Sequence, residues 1–521
     1  MIKNFKWLVL VSLTLMACNS DDEVAAVIDS SDGKPLTAGT ANFSKYVALG
    51  NSLTSGFSDG ALFIKGQEGA YTNVMAQQFK LVGGGEFKIP FMNDNIGGLL
   101  FGGQANAAFG PRLYFNGSAP VPVAGTPTTE VTNPAVAAAG PYNNTGVPGA
   151  KSFHLLSPTY GSAAGLANGT ANPYYVRFAP NGSTSVLAYA MSQAPTFFSL
   201  WIGNNDVLGY ATTGGDGTNP ITPVSGAAGV GFDGTYGALV TTLTSNGAKG
   251  VVANIPYVTS IPFFKTVPYN PLTVKVLGGG SDAVGTATIN ALNTQLYGPL
   301  KQALTAFGAG ARINLLSTTA ANPLLIKDES LTNLSAQLTA AFTPTLGAQT
   351  AAFYGAIFGQ ARQATATDLV LLTTQTAIAT APTAANSGLG IAPPAPLDKF
   401  GITFPLQDKH VLIPTEIAEL ETATNAFNAI IKSLADAKGL AFVDANAIMQ
   451  KIDKEGILAD NYTMKSTFVT GGTFSLDGIH SSPRGYAFIA NKFIEAINEK
   501  YGSNLKGVNV GNYSILFPKS L

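Results

Sequence analysis

A carboxylate and a histidine stand three residues apart near the end of the chain, at Asp477 and His480 in the sequence Asp-Gly-Ile-His. At this spacing on a turn, the carboxylate can reach the imidazole, fix its tautomer and stabilise its protonated form. An imidazole held in this way is a general base for a serine nucleophile. The alternative is a helix-capping aspartate beside a histidine with no chemical role. The two other histidines, His154 and His410, we expect to be structural or surface residues.

Ser52 is the candidate nucleophile that such a base would serve. It lies in the segment YVALGNSLTSG at residues 46–56, where a short apolar run ends at Gly-Asn-Ser-Leu. This pattern predicts a buried strand that enters a tight turn and places Ser52 at its carboxyl end, where open α/β sheets keep their sites. A serine next to a glycine at a strand end is also a common turn or helix-cap residue. The segment alone therefore leaves both interpretations open.

Two loops between these segments offer hydrogen-bond donors for an oxyanion. Gly149 lies in a dense turn signal at residues 144–150 (NTGVPGA), and Asn205 lies in Gly-Asn-Asn-Asp, directly after the apolar run TFFSLWI. A backbone N–H and a side-chain amide at neighbouring strand ends suit this role, and loss of one such donor typically raises the barrier by about 3 to 4 kcal/mol. Taken singly, each residue is typical of an ordinary turn.

Alternating strand and helix patterns must position these residues. Runs of apolar, β-branched or aromatic residues predict further strands at residues 196–202, 250–255 and 440–444. Helical spacing predicts helices at residues 71–79, 183–193 and 415–438, and Ser482 and Pro483 mark the start of a last helix. The alternation predicts an α/β fold with a parallel sheet and helices on both faces.

Two long segments interrupt this alternation. Residues 83–149 are rich in Gly, Pro, Asn and Thr, with scattered aromatic residues that favour a packed lid or pocket wall. Residues 265–410 are predicted to be a large insertion with helices near 283–307 and 331–342. We place the two insertions at about 83–143 and 265–410, and expect residues 506–521 to form a C-terminal tail.

The composition excludes some classes of function and suggests an export signal. Charged residues make up 11% of the chain and the formal net charge is −1, so nucleic acid is not an expected partner.

Lys3 and Lys6 precede an apolar stretch at residues 7–16, which is too short to span a bilayer but typical of a signal peptide. Cys18 follows it and is the only cysteine. Residues 19–42 lack periodicity and are predicted to form a tether.

Four short segments carry the candidate residues: those around Ser52, Gly149 and Asn205, and the one with Asp477 and His480. Taken together, these four blocks resemble the SGNH hydrolase superfamily, also called the GDSL lipase and esterase family, in a long form found among Bacteroidetes lipoproteins. Gly50-Asn51-Ser52-Leu53 resembles its first block, with asparagine where the family name has aspartate; the other blocks are matched by the turn at Gly149, by Gly-x-Asn-Asp at Asn205, and by Asp477 and His480.

The resemblance implies a flavodoxin-like three-layer α/β/α sandwich over residues 43–505. It implies Ser52 as nucleophile, His480 as general base and Asp477 as its orienting partner. The oxyanion donors would be the Ser52 N–H, the Gly149 N–H and the Asn205 amide, and the mechanism needs no cofactor. The chain has no Cys cluster and no closely spaced His pair, so it gives little support to a transition-metal site.

The N-terminal segment carries a second resemblance. Leu15-Met16-Ala17-Cys18 resembles a bacterial lipobox, which implies a signal peptide at residues 1–18 and a lipid on Cys18. The acidic residues at 19–23 (NSDDE) resemble a signal for display on the outer face of the outer membrane, although acidic residues are also common in linkers. We therefore expect a protein anchored to the bacterial outer membrane.

The expected activity is hydrolysis of a lipid or other acyl ester through an acyl-enzyme on Ser52. An apolar acyl chain is favoured because residues 83–149 and 330–372 bring many Phe, Leu and Ala residues near the blocks. A carbohydrate O-acetyl esterase would use the same catalytic residues. A surface binding protein on a retired hydrolase fold is the alternative outside the enzymes.

Overall fold

The computed structural model describes residues 29–521. The predicted signal peptide, the proposed lipidation site Cys18 and the first part of the predicted tether lie outside the described residues. Within residues 29–521, no helix is both long enough and apolar enough to cross a membrane.

A five-stranded parallel sheet forms the centre of the molecule. Its strands are β1 Tyr46–Gly50, β2 Asn144–Gly146, β3 Phe197–Trp201, β4 Lys249–Ala253 and β5 Ala441–Val443. The order across the sheet is β2-β1-β3-β4-β5, and every neighbouring pair is parallel. In a doubly wound sheet of this order, the ligand crevice lies beyond the carboxyl ends of β1 and β3, where the winding reverses.

Helices cover both faces of this sheet, as the alternation of patterns predicts. The helices connected with it are α1 Ser52–Ser55, α2 Tyr71–Lys80, α3 Val186–Met191, α4 Asn204–Thr212, α5 Phe232–Thr244, α6 Pro414–Ala437, α7 Ala445–Lys454 and α8 Pro483–Tyr501. Alternate residues of β1 enter different cores, Tyr46 and Ala48 with α2 and α8, Val47 and Leu49 with α3, α5 and α6. The result is an α/β protein with a layer of helices on each side of the sheet.

The sequence signals at the last helix match its observed bounds. The Ser482 hydroxyl accepts a hydrogen bond from Gly485 N–H at 3.0 Å, and Pro483 occupies the first helical position. Gly502 ends the helix in the left-handed conformation. The N-terminal cap also joins α8 to the loop at residues 473–481, which carries Asp477 and His480, because Ser482 N–H donates to Thr473 O at 3.0 Å.

The strand β2 corrects the sequence-based interpretation of residues 144–150, which was a turn throughout. Asn144 Nδ2 donates to Thr54 O and Thr72 Oγ1, and the backbone pairs with β1. Gly146 approaches α1 so closely that a Cβ there would lie 2.5 Å from Ser55 N. Long-range contacts thus hold turn-type residues in an extended edge strand, and only residues after Gly146 turn.

The two predicted insertions contain short elements. In residues 83–143 these are the strand pairs Leu100–Phe101 with Gln104–Ala105 and Leu113–Phe115 with Pro120–Pro122, and the helix Pro134–Ala138. In residues 265–410 they include the helices Val274–Leu277, Asp282–Leu292, Gly298–Ala306, Ser335–Leu346 and Ala348–Phe358. The second segment also pairs Leu325–Lys327 with Ala361–Gln363 and packs around a hydrophobic cluster of its own, separate from the cores on the two faces of the sheet.

The described part of the predicted tether and the predicted C-terminal tail are both bonded to the body. Ser31 N–H donates to Asn504 O at 2.9 Å and Thr40 N–H to Tyr501 O at 2.8 Å, so residues 29–42 run beside the end of α8. At the other end, Arg112 Nη2 donates to Pro518 O at 2.8 Å. Residues 29–42 and the C-terminal segment therefore both form hydrogen bonds with the rest of the fold.

Candidate active site

Ser52, His480 and Asp477 form a continuous line of hydrogen bonds. His480 Nε2 lies 2.9 Å from Ser52 Oγ, and His480 Nδ1 lies 2.8 Å from Asp477 Oδ2. With the Nδ1 proton donated to the carboxylate, Nε2 is the acceptor for the Ser52 hydroxyl proton. Ser52 is only 7% exposed, and the Phe57 ring packs 4.6 Å from the imidazole. This arrangement can deprotonate a serine that attacks an electrophilic carbon.

The turn around Asp477 keeps its carboxylate ionised. Asp477 Oδ1 accepts from Ile479 N–H and His480 N–H, both at 2.8 Å, and Oδ2 also accepts from Gly60 N–H at 2.9 Å. Burial by itself would raise the pKa of Asp477, but His480 and these backbone donors lower it well below its ordinary value. The carboxylate is therefore available to orient and stabilise the imidazole at any pH near neutrality.

The first turn of α1 places Ser52 where β1 ends. Asn51 is the N-cap of this helix, since its Oδ1 accepts from Leu53 N–H at 3.1 Å. An asparagine at this position thus meets the capping need that an aspartate would meet. Gly50 must be a glycine, because a Cβ there would lie 2.1 Å from Thr54 Oγ1 and 2.5 Å from Trp201 O.

The two expected oxyanion donors flank Ser52 on the neighbouring strand ends. Gly50 pairs with Gly146 in β2 and with Trp201 in β3, so the loops that carry Gly149 and Asn205 leave the sheet on either side of the serine. Gly149 has a φ of +80°, a conformation that favours glycine. Asn205 Nδ2 donates one hydrogen to Ala150 O at 2.9 Å, which links the two loops and leaves its second hydrogen for a ligand.

Asp206 fastens these loops to each other, a role that the motif did not reveal. Its Oδ1 accepts from Ser152 Oγ at 2.6 Å and its Oδ2 from Ser152 N–H at 2.8 Å. Asp206 is only 1% exposed, and burial raises its pKa. The Gly149 loop is therefore held against the start of α4 by a buried, fully bonded side chain.

Asp59 is a second buried carboxyl next to the triad, and sequence reasoning missed it. Its backbone N–H donates to Ser475 Oγ at 3.0 Å and its Oδ1 accepts from Leu476 N–H at 2.9 Å, so it braces the Asp477 loop. Its Oδ2 has no hydrogen-bond partner among the described residues. Burial, and the charge of Asp477, raise the pKa of Asp59 to about 7. Asp59 is also a non-glycine residue at a φ of +52°, a feature that is visible only in the structure.

An apolar cavity of about 110 Å³ opens beside Ser52 and His480. Asn204 and Asn205 also line it, so the cavity and the triad belong to one site. None of its lining residues comes from residues 83–149 or 330–372, the segments that the sequence suggested as the source of an apolar binding surface.

The other two histidines have structural contacts. His154 Nδ1 accepts from Lys151 N–H and His410 Nδ1 accepts from Gln407 N–H, both at 3.0 Å and both within a short helical turn. Burial lowers the pKa of each imidazole to about 4. Each is therefore a neutral acceptor that holds its own turn.

Three carboxylates outside the triad gather where the second insertion meets α6. Oxygen atoms of Glu329, Asp408 and Glu416 all lie within 4.8 Å of one another. Oxygen ligands of this type can hold a hard cation. Burial and the neighbouring acids raise the pKa of Glu416 strongly and that of Asp408 to about 6, so without a cation these carboxyls would share protons.

The chain was compared with protein-family models, with curated proteins and with solved structures, and none of them matches it.

Proposed function

We propose that this protein is a serine ester hydrolase of the SGNH or GDSL type, anchored to the bacterial outer membrane through a lipid on Cys18. The observation that carries the proposal is the hydrogen-bonded line from Ser52 Oγ through His480 to Asp477. The strand order and the flanking loops agree with the sandwich that the sequence resemblance implies.

In the proposed cycle, Ser52 Oγ attacks the ester carbonyl carbon while His480 Nε2 takes the hydroxyl proton. The resulting oxyanion receives hydrogen bonds from Ser52 N–H, Gly149 N–H and Asn205 Nδ2. His480 then returns the proton to the leaving alcohol as the carbon–oxygen bond breaks. Water, deprotonated by the same imidazole, attacks the acyl-enzyme. As the bond from the acyl carbon to Ser52 Oγ breaks, His480 returns this proton to Oγ and the carboxylic acid is released.

Labelling with a fluorophosphonate probe tests the nucleophile directly. The parent protein should be labelled covalently and the Ser52→Ala variant should not. Ser55 lies in the same short helix and is also buried, so Ser55→Ala is the matched control and should still be labelled. If the parent is not labelled, or if labelling survives in Ser52→Ala, the proposal fails and a surface binding protein becomes the better account.

A further inference from the structure

The cavity beside Ser52 lies where one substituent of an ester carbonyl carbon would extend from the serine. Gly149 lies beyond β2, on one side of Ser52, whereas the cavity extends past Asn205 to Val443 and Ala445 at the end of β5. A carbonyl carbon on Ser52 would direct its oxygen to the donors near β1, β2 and β3. One substituent of that carbon would then run along the carboxyl ends of β3, β4 and β5.

Most of the wall of this cavity is apolar and buried. Five of the larger lining side chains are at most 6% exposed: Trp201, Met449, Ile452, Phe488 and Phe493. The cationic residue on the wall is Lys492, whose Nζ is paired with Glu495 at 2.7 Å. Its alkyl stem therefore faces the cavity while its charge is engaged elsewhere. Such a wall favours a hydrocarbon and disfavours a sugar or a second charge.

Three lining residues carry a buried side-chain atom without a hydrogen-bond partner among the described residues: Asn51 Nδ2, Asn204 Oδ1 and Thr473 Oγ1. Asn51 and Asn204 are sequence neighbours of Ser52 and Asn205, and Thr473 begins the loop at residues 473–481 that carries His480. All three therefore belong to segments that also carry residues of the candidate site. The cavity thus combines a polar end for an ester group with apolar walls for a tail, which is the division found in a fatty acyl ester.

We infer that the cavity between α7 and α8 holds the acyl chain of the substrate, and that Ala445 and Met449 limit its length; this inference rests on the proposed function. The alcohol is less suited to a closed cavity, because it must depart before water can attack the acyl-enzyme, whereas the acyl group stays bound through both steps. A comparable engineered apolar cavity of about 150 Å³ binds the six carbon atoms of benzene, so the volume of about 110 Å³ here suits about four to five carbon atoms beyond the carbonyl.

A series of p-nitrophenyl esters tests the inference. We expect kcat/KM to rise about fourfold for each methylene added from acetyl to hexanoyl, the gain that burial of a methylene provides. Ala445→Leu fills the cavity and should lower kcat/KM for hexanoate esters at least tenfold more than kcat/KM for acetate esters. Met449→Ala enlarges it and should shift the preference to longer chains. Ala447→Leu, on the exposed side of the same helix, is the control and should change neither.

A binding measurement separates this inference from the proposed function. In Ser52→Ala, hexanoate should raise the melting temperature, acetate should not, and Ala445→Leu should abolish the effect. If no ester is hydrolysed but hexanoate still binds in this manner, the acyl site stands and the hydrolase proposal fails. If esters are hydrolysed but acetate is preferred, or if chain length matters in the alcohol rather than the acyl group, the inference is overturned while the hydrolase proposal stands.

Discussion

Replacing Asp59 by asparagine should change how the stability of the protein depends on pH. The substitution keeps the shape of the side chain and an acceptor for Leu476 N–H, and asparagine tolerates the positive φ at this position. It removes a carboxyl group that is only 1% exposed. The nearby charge of Asp477 raises the pKa of Asp59, whereas His480 and Arg112 lower it.

The sign of the effect follows from the raised pKa. Asp59 has an ordinary pKa of 3.8 and a pKa of about 7 in the folded protein, so folding takes up a proton between these values. The free energy of unfolding therefore falls as the pH rises from about 4 and levels off above about 7. Between pH 5 and pH 8 the contribution of Asp59 decreases by about 3 kcal/mol.

Urea denaturation of the parent and of Asp59→Asn at pH 5 and pH 8 measures this contribution. Subtracting the free energy of unfolding of the parent from that of the variant cancels the titration of other groups. From pH 5 to pH 8 this difference should rise by about 3 kcal/mol, so that the variant gains stability relative to the parent. Asp436→Asn, at a side chain that is 62% exposed, supplies the control for replacing an aspartate without removing a buried group. A difference for Asp59→Asn that does not change with pH would refute the reasoning.

Two further substitutions test the site and the acidic cluster. Asn205→Ala removes an oxyanion donor and should lower kcat about 10²- to 10³-fold with KM within about threefold, measured on a p-nitrophenyl ester; a loss below tenfold would contradict that role. Glu416→Gln removes a carboxyl whose raised pKa makes folding take up a proton, so the variant should gain melting temperature over the parent at pH 8 and less at pH 5. Equal shifts at both pH values would contradict the proton-sharing account.

Local signals explain why the hydrogen-bonded pair of Asp477 and His480 was predictable. Asp477 and His480 are three residues apart, so the turn that joins them depends on only a few neighbouring residues. The sheet was predictable for a similar reason where a strand is a continuous apolar run, as in Phe197–Trp201, whose five residues are all buried. Because Ser52 and Asn205 directly follow predicted strands, both could be placed at the carboxyl edge of the sheet.

Features that depend on distant partners were not predictable in this way. Asn144–Gly146 has the composition of a turn and becomes a strand because Thr54, Thr72 and β1 satisfy its polar groups. The apolar wall beside Ser52 comes from α7 and α8 rather than from the aromatic-rich segments, because composition shows how many apolar side chains a segment has and not what they face. Asp59 was hidden for the same reason, since only the folded chain brings it under Asp477.

The proposed nucleophile and the proposed general base lie far apart along the chain, and this separation affects when the site can form. Ser52 and His480 are 428 positions apart in sequence, and residues 29–42 bond to the end of α8. The site is therefore completed only after nearly the whole chain has been synthesised and its two ends have met. Contacts of such long range form slowly. If Ser52 and His480 act together as proposed, a nascent or C-terminally truncated chain is expected to be inert until folding brings the two residues into contact.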